Sequence, residues 1–216
     1  MKFTTLSVVL MILLAPWSLS AQTKFGISAR ASFANVAIKA GGISVSPKLK
    51  TGITGGIFVV APLSSTFSFQ PALNFVQKGY TIKDDYATDK ATLNYLELPL
   101  NFVCHAKKNE GFFIGAGPSL AYGLSGTEKY HYNDNSFPDI KYTIKFGSGS
   151  DKAKALDFGA NAIAGFQFKG GFMIAANYTL GLSKFNNDDG SGANGSIKNR
   201  YFAIKIGYVF GGKKHK

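Results

Sequence analysis

The sequence predicts an all-β fold: one eight-stranded antiparallel up-and-down transmembrane β-barrel. Three observations predict it. Within segments of about ten residues, apolar side chains alternate with small or polar ones, and a period of two is the signature of a strand. Between those segments, short and long connections alternate, as the two rims of an outer-membrane barrel require. After residue 21, no stretch approaches the roughly 18 apolar residues that a spanning helix needs. The segment Tyr201–Phe210 shows the first pattern best. Phe202, Ile204, Ile206, Tyr208 and Phe210 share one face, and Ala203, Lys205, Gly207 and Val209 share the other. An apolar face opposite one carrying Lys and Gly suits lipid outside and a polar lumen inside.

The elements follow in chain order. Residues 1–21 read as a secretory signal peptide: Lys2 is the basic start, Leu6 to Pro16 the apolar stretch, and Ser18-Leu19-Ser20-Ala21 the small residues for cleavage. The barrel spans residues 22–210 and a short basic tail residues 211–216. The first strand is Lys24–Phe33, with Phe25, Ile27, Ala29, Ala31 and Phe33 outward and Gly26, Ser28, Arg30 and Ser32 inward. The second is Gly52–Ala61, with Ile53, Gly55, Ile57 and Val59 outward. In the third, Thr66–Gly79, Phe67, Phe69, Leu73 and Phe75 face out, while Gln70, Ala72, Asn74 and Lys78 face in. In the fourth, Leu93–Cys104, Leu96, Leu98, Leu100 and Phe102 face out, while Tyr95, Glu97, Pro99 and Asn101 face in. The fifth, Phe112–Leu124, has an inner face of Gly115, Gly117, Ser119, Ala121 and Gly123 that is almost bare. The sixth, Leu156–Phe168, turns Asp157, Asn161 and Gln167 inward; the seventh, Phe172–Ser183, turns Asn177 and Thr179 inward; the eighth is Tyr201–Phe210.

The short connections are 62–65, 105–111 and 169–171. The long ones are 34–51, 80–92, 125–155 and 184–200, rich in Gly, Asn, Asp, Ser and Lys, and read as exposed, mobile loops. An even strand number with this alternation places both termini in the periplasm.

Several motifs resemble one family. These are Gly26-Ile27-Ser28-Ala29, Phe69-Gln70-Pro71-Ala72-Leu73 leading to Gln77-Lys78-Gly79, Leu93-Asn94-Tyr95-Leu96-Glu97-Leu98-Pro99-Leu100, Gly115-Ala116-Gly117-Pro118 and Asn177-Tyr178-Thr179-Leu180-Gly181-Leu182. In order and content they resemble the PorT-like outer-membrane β-barrels of the Bacteroidetes. The resemblance implies the barrel fold and an outer-membrane location, and it suggests service to a secretion system, as for the family's namesake. Ala72 and Asn177 depart from it, standing where relatives often carry an inward Glu and an inward Arg. The chain also continues past Phe210, the usual terminal aromatic read by the barrel-assembly machinery.

Charge and chemistry narrow the function. The chain of 216 residues carries 24 Lys and Arg against 12 acids, a net +12, but the cations are scattered rather than clustered on a helix. That distribution disfavours nucleic acid and suits outer-membrane lipids and lipopolysaccharide phosphates. The lumen of an eight-stranded barrel is narrow enough to be filled by side chains. Inward Arg30, Lys78, Glu97, Asp157 and Lys205 therefore form a lumen charge cluster, read first as a structural plug, with an ion path or a catalytic carboxylate pair as alternatives. In the third long loop, Tyr130, His131, Tyr132 and Tyr142 form either a recognition surface or packing against the rim. Cys104 has no disulfide partner and reads as a small residue on the lipid face. No cofactor, metal site or enzyme is expected: the three His are dispersed, and Asn186-Asn187-Asp188-Asp189-Gly190 reads as a solvated turn rather than a Ca²⁺ loop.

The expected function is structural or binding, through the long loops. A narrow anion-favouring pore and an accessory barrel of a secretion system are the alternatives. A soluble lipocalin-type barrel, with its apolar face inward, is the rival fold.

Overall fold

A computed structural model of the chain describes residues 23–40, 43–45, 48–107, 110–134, 137–148, 152–184 and 196–211. The signal segment, the turn at 186–190 and the tail from 212 lie outside the described residues. The strands are β1 (Lys24–Ala40), β2 (Ile43–Val45), β3 (Lys50–Pro62), β4 (Phe67–Lys83), β5 (Ala87–Lys107), β6 (Glu110–Tyr132), β7 (Ile140–Ile144), β8 (Leu156–Gln167), β9 (Phe172–Gly181) and β10 (Ser196–Val209).

All but β2 and β7 stand side by side in the order β10-β9-β8-β6-β5-β4-β3-β1, and β10 then pairs with β1. Every ladder in this path is antiparallel, and the closing one runs from Gly26↔Val209 to Lys39↔Ser196. The eight-stranded ring thus has no free edge, the condition for strands to cross hydrocarbon with their backbone groups paired.

The period of two fixes what faces where. Along β9, Phe172, Ile174, Tyr178 and Leu180 are exposed, while Met173, Ala175, Asn177 and Thr179 are buried. The outer wall continues through Ile53, Ile57, Ile114, Phe158, Ile204 and Ile206, and Ile53 is 76% exposed. A soluble barrel does not leave so continuous an apolar band on its outside; the lipocalin orientation is excluded on this geometry. Cys104 is exposed on that wall. At the short-turn rim, aromatic rings pack edge to edge or tilted, including Phe112 on Phe166, Phe168 on Phe172 and Tyr208 on Phe210.

Short turns join β3 to β4, β5 to β6 and β8 to β9, the last through Gly170 and Gly171 at φ of +93° and +98°, a backbone that L side chains rarely adopt. At the other rim, the reading of long loops needs correction. Residues 80–92 are not a loop: β4 runs to Lys83, β5 begins at Ala87, and only 84–86 turn. Asp84 closes that turn, its carboxylate accepting from the amides of Tyr86 and Ala87 at 2.9 and 2.7 Å. Residues 125–132 continue β6, and 140–144 form β7 against it. On the first long connection, β1 runs to Ala40 and β2 folds back on it. β4, β5, β6 and β7 together rise above the ring as a sheet, called the wing below. Its sequence escaped the two-fold pattern because polar residues occupy both of its faces.

Candidate functional site in the lumen and the wing

The lumen is filled in layers. Nearest the short-turn rim lies an apolar cluster of Phe58, Val60, Ala72, Val103, Phe113, Ile163, Met173, Ala175 and Val209. The bare inner positions of the strands explain how these fit. A methyl at Gly26 would enter the Phe58 ring, and one at Gly165 would meet Phe113 and Ala175. The glycines were legible as an empty inner face; their large neighbours were not. In Ile57-Phe58-Val59-Val60, both faces are apolar, so the run does not announce which ring points inward.

Charge occupies the middle. The structure places Arg30, Lys78, Glu97, Asp157 and Lys205 all inside and all buried. Lys78 on β4 reaches across the lumen between two acids, with Nζ 3.4 Å from Glu97 Oε2 and 3.1 Å from Asp157 Oδ2. The acids have further partners. Tyr201 donates its hydroxyl to Glu97, Asn199 donates to Asp157 at 2.9 Å, and Ser183 donates to its other oxygen at 2.9 Å. Glu97 is fully buried, so without Lys78 and Tyr201 its charge would cost several kcal/mol.

Arg30 and Lys205 stand apart from this group. They are direct cross-strand partners on β1 and β10. Arg30 donates to Asn74 Oδ1 at 3.1 Å, and Lys205 Nζ sits 4.1 Å from the centroid of the Phe58 ring. Among the described residues, neither has a carboxylate within salt-bridge distance, so the acids do not bridge all the cations. Which cation takes which acid depends on stagger between strands, a quantity that no single segment encodes.

Aromatic rings close the top. Lys78 Nζ lies 4.8 Å from the centroid of Tyr95, whose other neighbour is Phe146 at 5.5 Å, edge to face. Phe146 follows β7, dips back into the mouth, and fills the space beside Gly123, with Leu93, Ala121 and Ile144 around it.

The wing carries the other candidates. Paired residues of an antiparallel ladder share a face. Tyr130, Tyr132 and Tyr142 therefore share the inner face with Glu128, since Glu128 pairs with Tyr142. Tyr130 packs on Tyr132 at 5.6 Å, Tyr132 packs on Phe137 at 5.1 Å, and Tyr142 remains 55% exposed. His131 points to the opposite face and meets Asp139 at 2.7 Å. The four residues therefore do not form one patch. Sequence reading missed the inner-face trio of Tyr80, Asp89 and Glu128. Tyr80 donates to Glu128 at 2.8 Å, and Asp89, above the apolar band, has its carboxyl pushed up to about 6 by burial and then by the Glu128 charge. No group of three His, Cys, Asp or Glu able to hold a metal occurs among the described residues.

A closed antiparallel ring with an apolar outer wall and a packed polar interior defines a membrane β-barrel. The chain belongs to the outer membrane protein beta-barrel domain family, whose model matches residues 20–187. No curated protein matches the sequence. Among solved structures it is similar to the attachment invasion locus protein Ail of Yersinia pestis (13% identity, 87% of this chain and 99% of that one, TM-score 0.47). It is also similar to OprG of Pseudomonas aeruginosa (11% identity, 87% and 95%, TM-score 0.41) and to the Neisserial surface protein A (9% identity, 85% and 96%, TM-score 0.41). These are likenesses of fold only.

Proposed function

We propose that the protein is a closed outer-membrane barrel that works through its wing, not through its lumen. The observation that carries this reading is the continuous filling of the interior: apolar cluster, Lys78–Glu97–Asp157 layer, Tyr95 and Phe146 in succession. The rule that outer-membrane barrels keep short turns in the periplasm and long excursions outside puts the wing at the cell surface and both termini in the periplasm. The mature chain then starts near residue 22, and the barrel-assembly machinery inserts it. On the wing, Tyr130, Tyr132 and Tyr142 form the face offered to an external partner. The motifs around Gln77-Lys78-Gly79 and Tyr95-Leu96-Glu97-Leu98-Pro99 support a place among the PorT-like barrels, and with it an accessory role beside a secretion complex.

One observation favours a second reading. Arg30 and Lys205, paired across β1 and β10 without an acid, leave the lumen with an excess of positive charge, as a narrow anion path would need. Planar-bilayer recording of the refolded chain separates the two. No stable conductance steps are expected for the closed barrel. Steps with anion selectivity, abolished in a Lys205→Met variant, would establish the pore instead.

A further inference from the structure

The outer face of the wing changes chemistry row by row as it leaves the membrane. The last apolar row is Phe75↔Leu96↔Tyr122. Above it comes Gln77↔Asn94↔Ser125, joined by hydrogen bonds from Gln77 to Asn94 at 3.3 Å and from Asn94 to Ser125 at 2.9 Å. Thr92↔Thr127↔Thr143 follows. The next row is Lys48↔Thr81↔Lys90↔Lys129↔Lys141, in which cross-strand neighbours are lysines in direct register. Lys83 and His131 share the row beyond, on either side of Thr88.

Like charges directly opposite in a sheet destabilise it. Lys48, Lys83, Lys90, Lys129 and Lys141 are all exposed, and among the described residues none has a carboxylate within salt-bridge distance. The nearby acids do not answer the row: Asp89 and Glu128 face the inner side, and Asp139 is engaged by His131. Among the described residues, therefore, the fold holds a ladder of cations with no carboxylate of its own beside it.

Height identifies the source of the counter-charge. The lysine row lies three rows above the apolar band, about 20 Å along the strand. At a tilt of about 45° that is roughly 14 Å of height, beyond the roughly 5–8 Å headgroup layer of a plain phospholipid. Between them lie two rows of amides and hydroxyls, matched to sugar hydroxyls. We propose that Lys48, Lys90, Lys129 and Lys141 bind the phosphates of a phosphorylated glycolipid, the lipopolysaccharide of the leaflet around the barrel, while Gln77, Asn94, Ser125 and the threonine row contact its sugars. This rests on the outward orientation of the wing proposed above.

The test uses the full mature chain refolded in detergent and titrated with lipopolysaccharide, with phosphatidylglycerol micelles, and with a soluble sulfated polysaccharide. The ladder should bind lipopolysaccharide in a salt-sensitive manner and in preference to both other polyanions. Charge reversal of Lys90, Lys129 and Lys141 together should weaken binding at least about a hundredfold, from about fivefold for each positive charge lost near an anionic surface. Reversal of Lys107 and Lys169, exposed near the opposite rim, should leave it unchanged. Lys129→Gln serves as a milder variant that keeps the fold. It should raise the melting temperature without lipopolysaccharide, by relieving repulsion, and lower it with lipopolysaccharide present. Equal binding of the soluble polysaccharide, an unchanged affinity in the triple variant, or a melting shift of one sign in both conditions would overturn the ladder. Trypsin shaving of intact cells tests orientation alone: a protected wing beside intact detergent binding would overturn the outward placement but not the site's chemistry.

Discussion

Lysine meets two environments in this molecule, and the chain treats them in opposite ways. Inside the barrel, Lys78 is enclosed, lies between Glu97 and Asp157, and is roofed by Tyr95. On the outer face of the wing, Lys90, Lys129 and Lys141 stand in a row, exposed, with no acid of the described chain beside them. In a low-dielectric interior a lone charge is costly, and the fold answers Lys78 with two acids and Lys205 with the face of the Phe58 ring. Above the membrane, water and counter-ions make the same arrangement tolerable, and a counter-charge can be left to the surroundings. An enclosed lysine thus belongs to the fold, whereas an exposed and unpaired one is left to hold something else.

The largest effect expected from breaking this contrast comes from the lumen. Lys78→Met leaves Glu97 and Asp157 without their shared cation and should destabilise the refolded barrel by about 4 kcal/mol, read from urea unfolding by heat-modifiable gel mobility. Adding Glu97→Gln to that variant should recover part of the loss; a loss no larger than that of an exposed lysine such as Lys107 would show that the interior is hydrated. Next comes Phe58→Ala, which empties the space between Gly26 and Lys205 and should cost about 3 kcal/mol in the same assay. The smallest effect belongs to the wing. Because the fold raises the Asp89 carboxyl to about 6 from its ordinary 3.8, the folded wing holds that proton more tightly than the open chain does. The stabilisation is complete below about 4 and disappears as pH rises to about 6. Hydrogen-exchange protection of residues 80–92, corrected for intrinsic rates, should fall across that interval in the wild type and stay level in Asp89→Asn.

What could be read from the residues follows the same division. Where one face meets lipid, Phe202-Ala203-Ile204-Lys205-Ile206 alternates cleanly, and both the strand and the inward Lys are evident. The wing's inner face mixes Ala91, Leu93 and Tyr130 with Asp89 and Glu128, so Thr127-Glu128-Lys129 shows no clean apolar period and its strands read as loops. Asp84 before Asp85-Tyr86 was the available hint of a tight hairpin, since its side chain can close a turn by itself. Arg30, Lys78, Glu97, Asp157 and Lys205 were recognisable as inward, whereas Lys50, buried at the start of β3, lay in a stretch read as a loop; the choice of Lys78 over Arg30 as partner of the acids arises only when β4, β5 and β8 are set at their mutual stagger around the ring.

The seam between β1 and β10 joins the first and last strands of the ring. A chain lacking β10 cannot seal this cylinder, and it also lacks Tyr201, the hydroxyl donor to Glu97. Closure is therefore the longest-range pairing in the ring, and synthesis has to reach β10 before it can form.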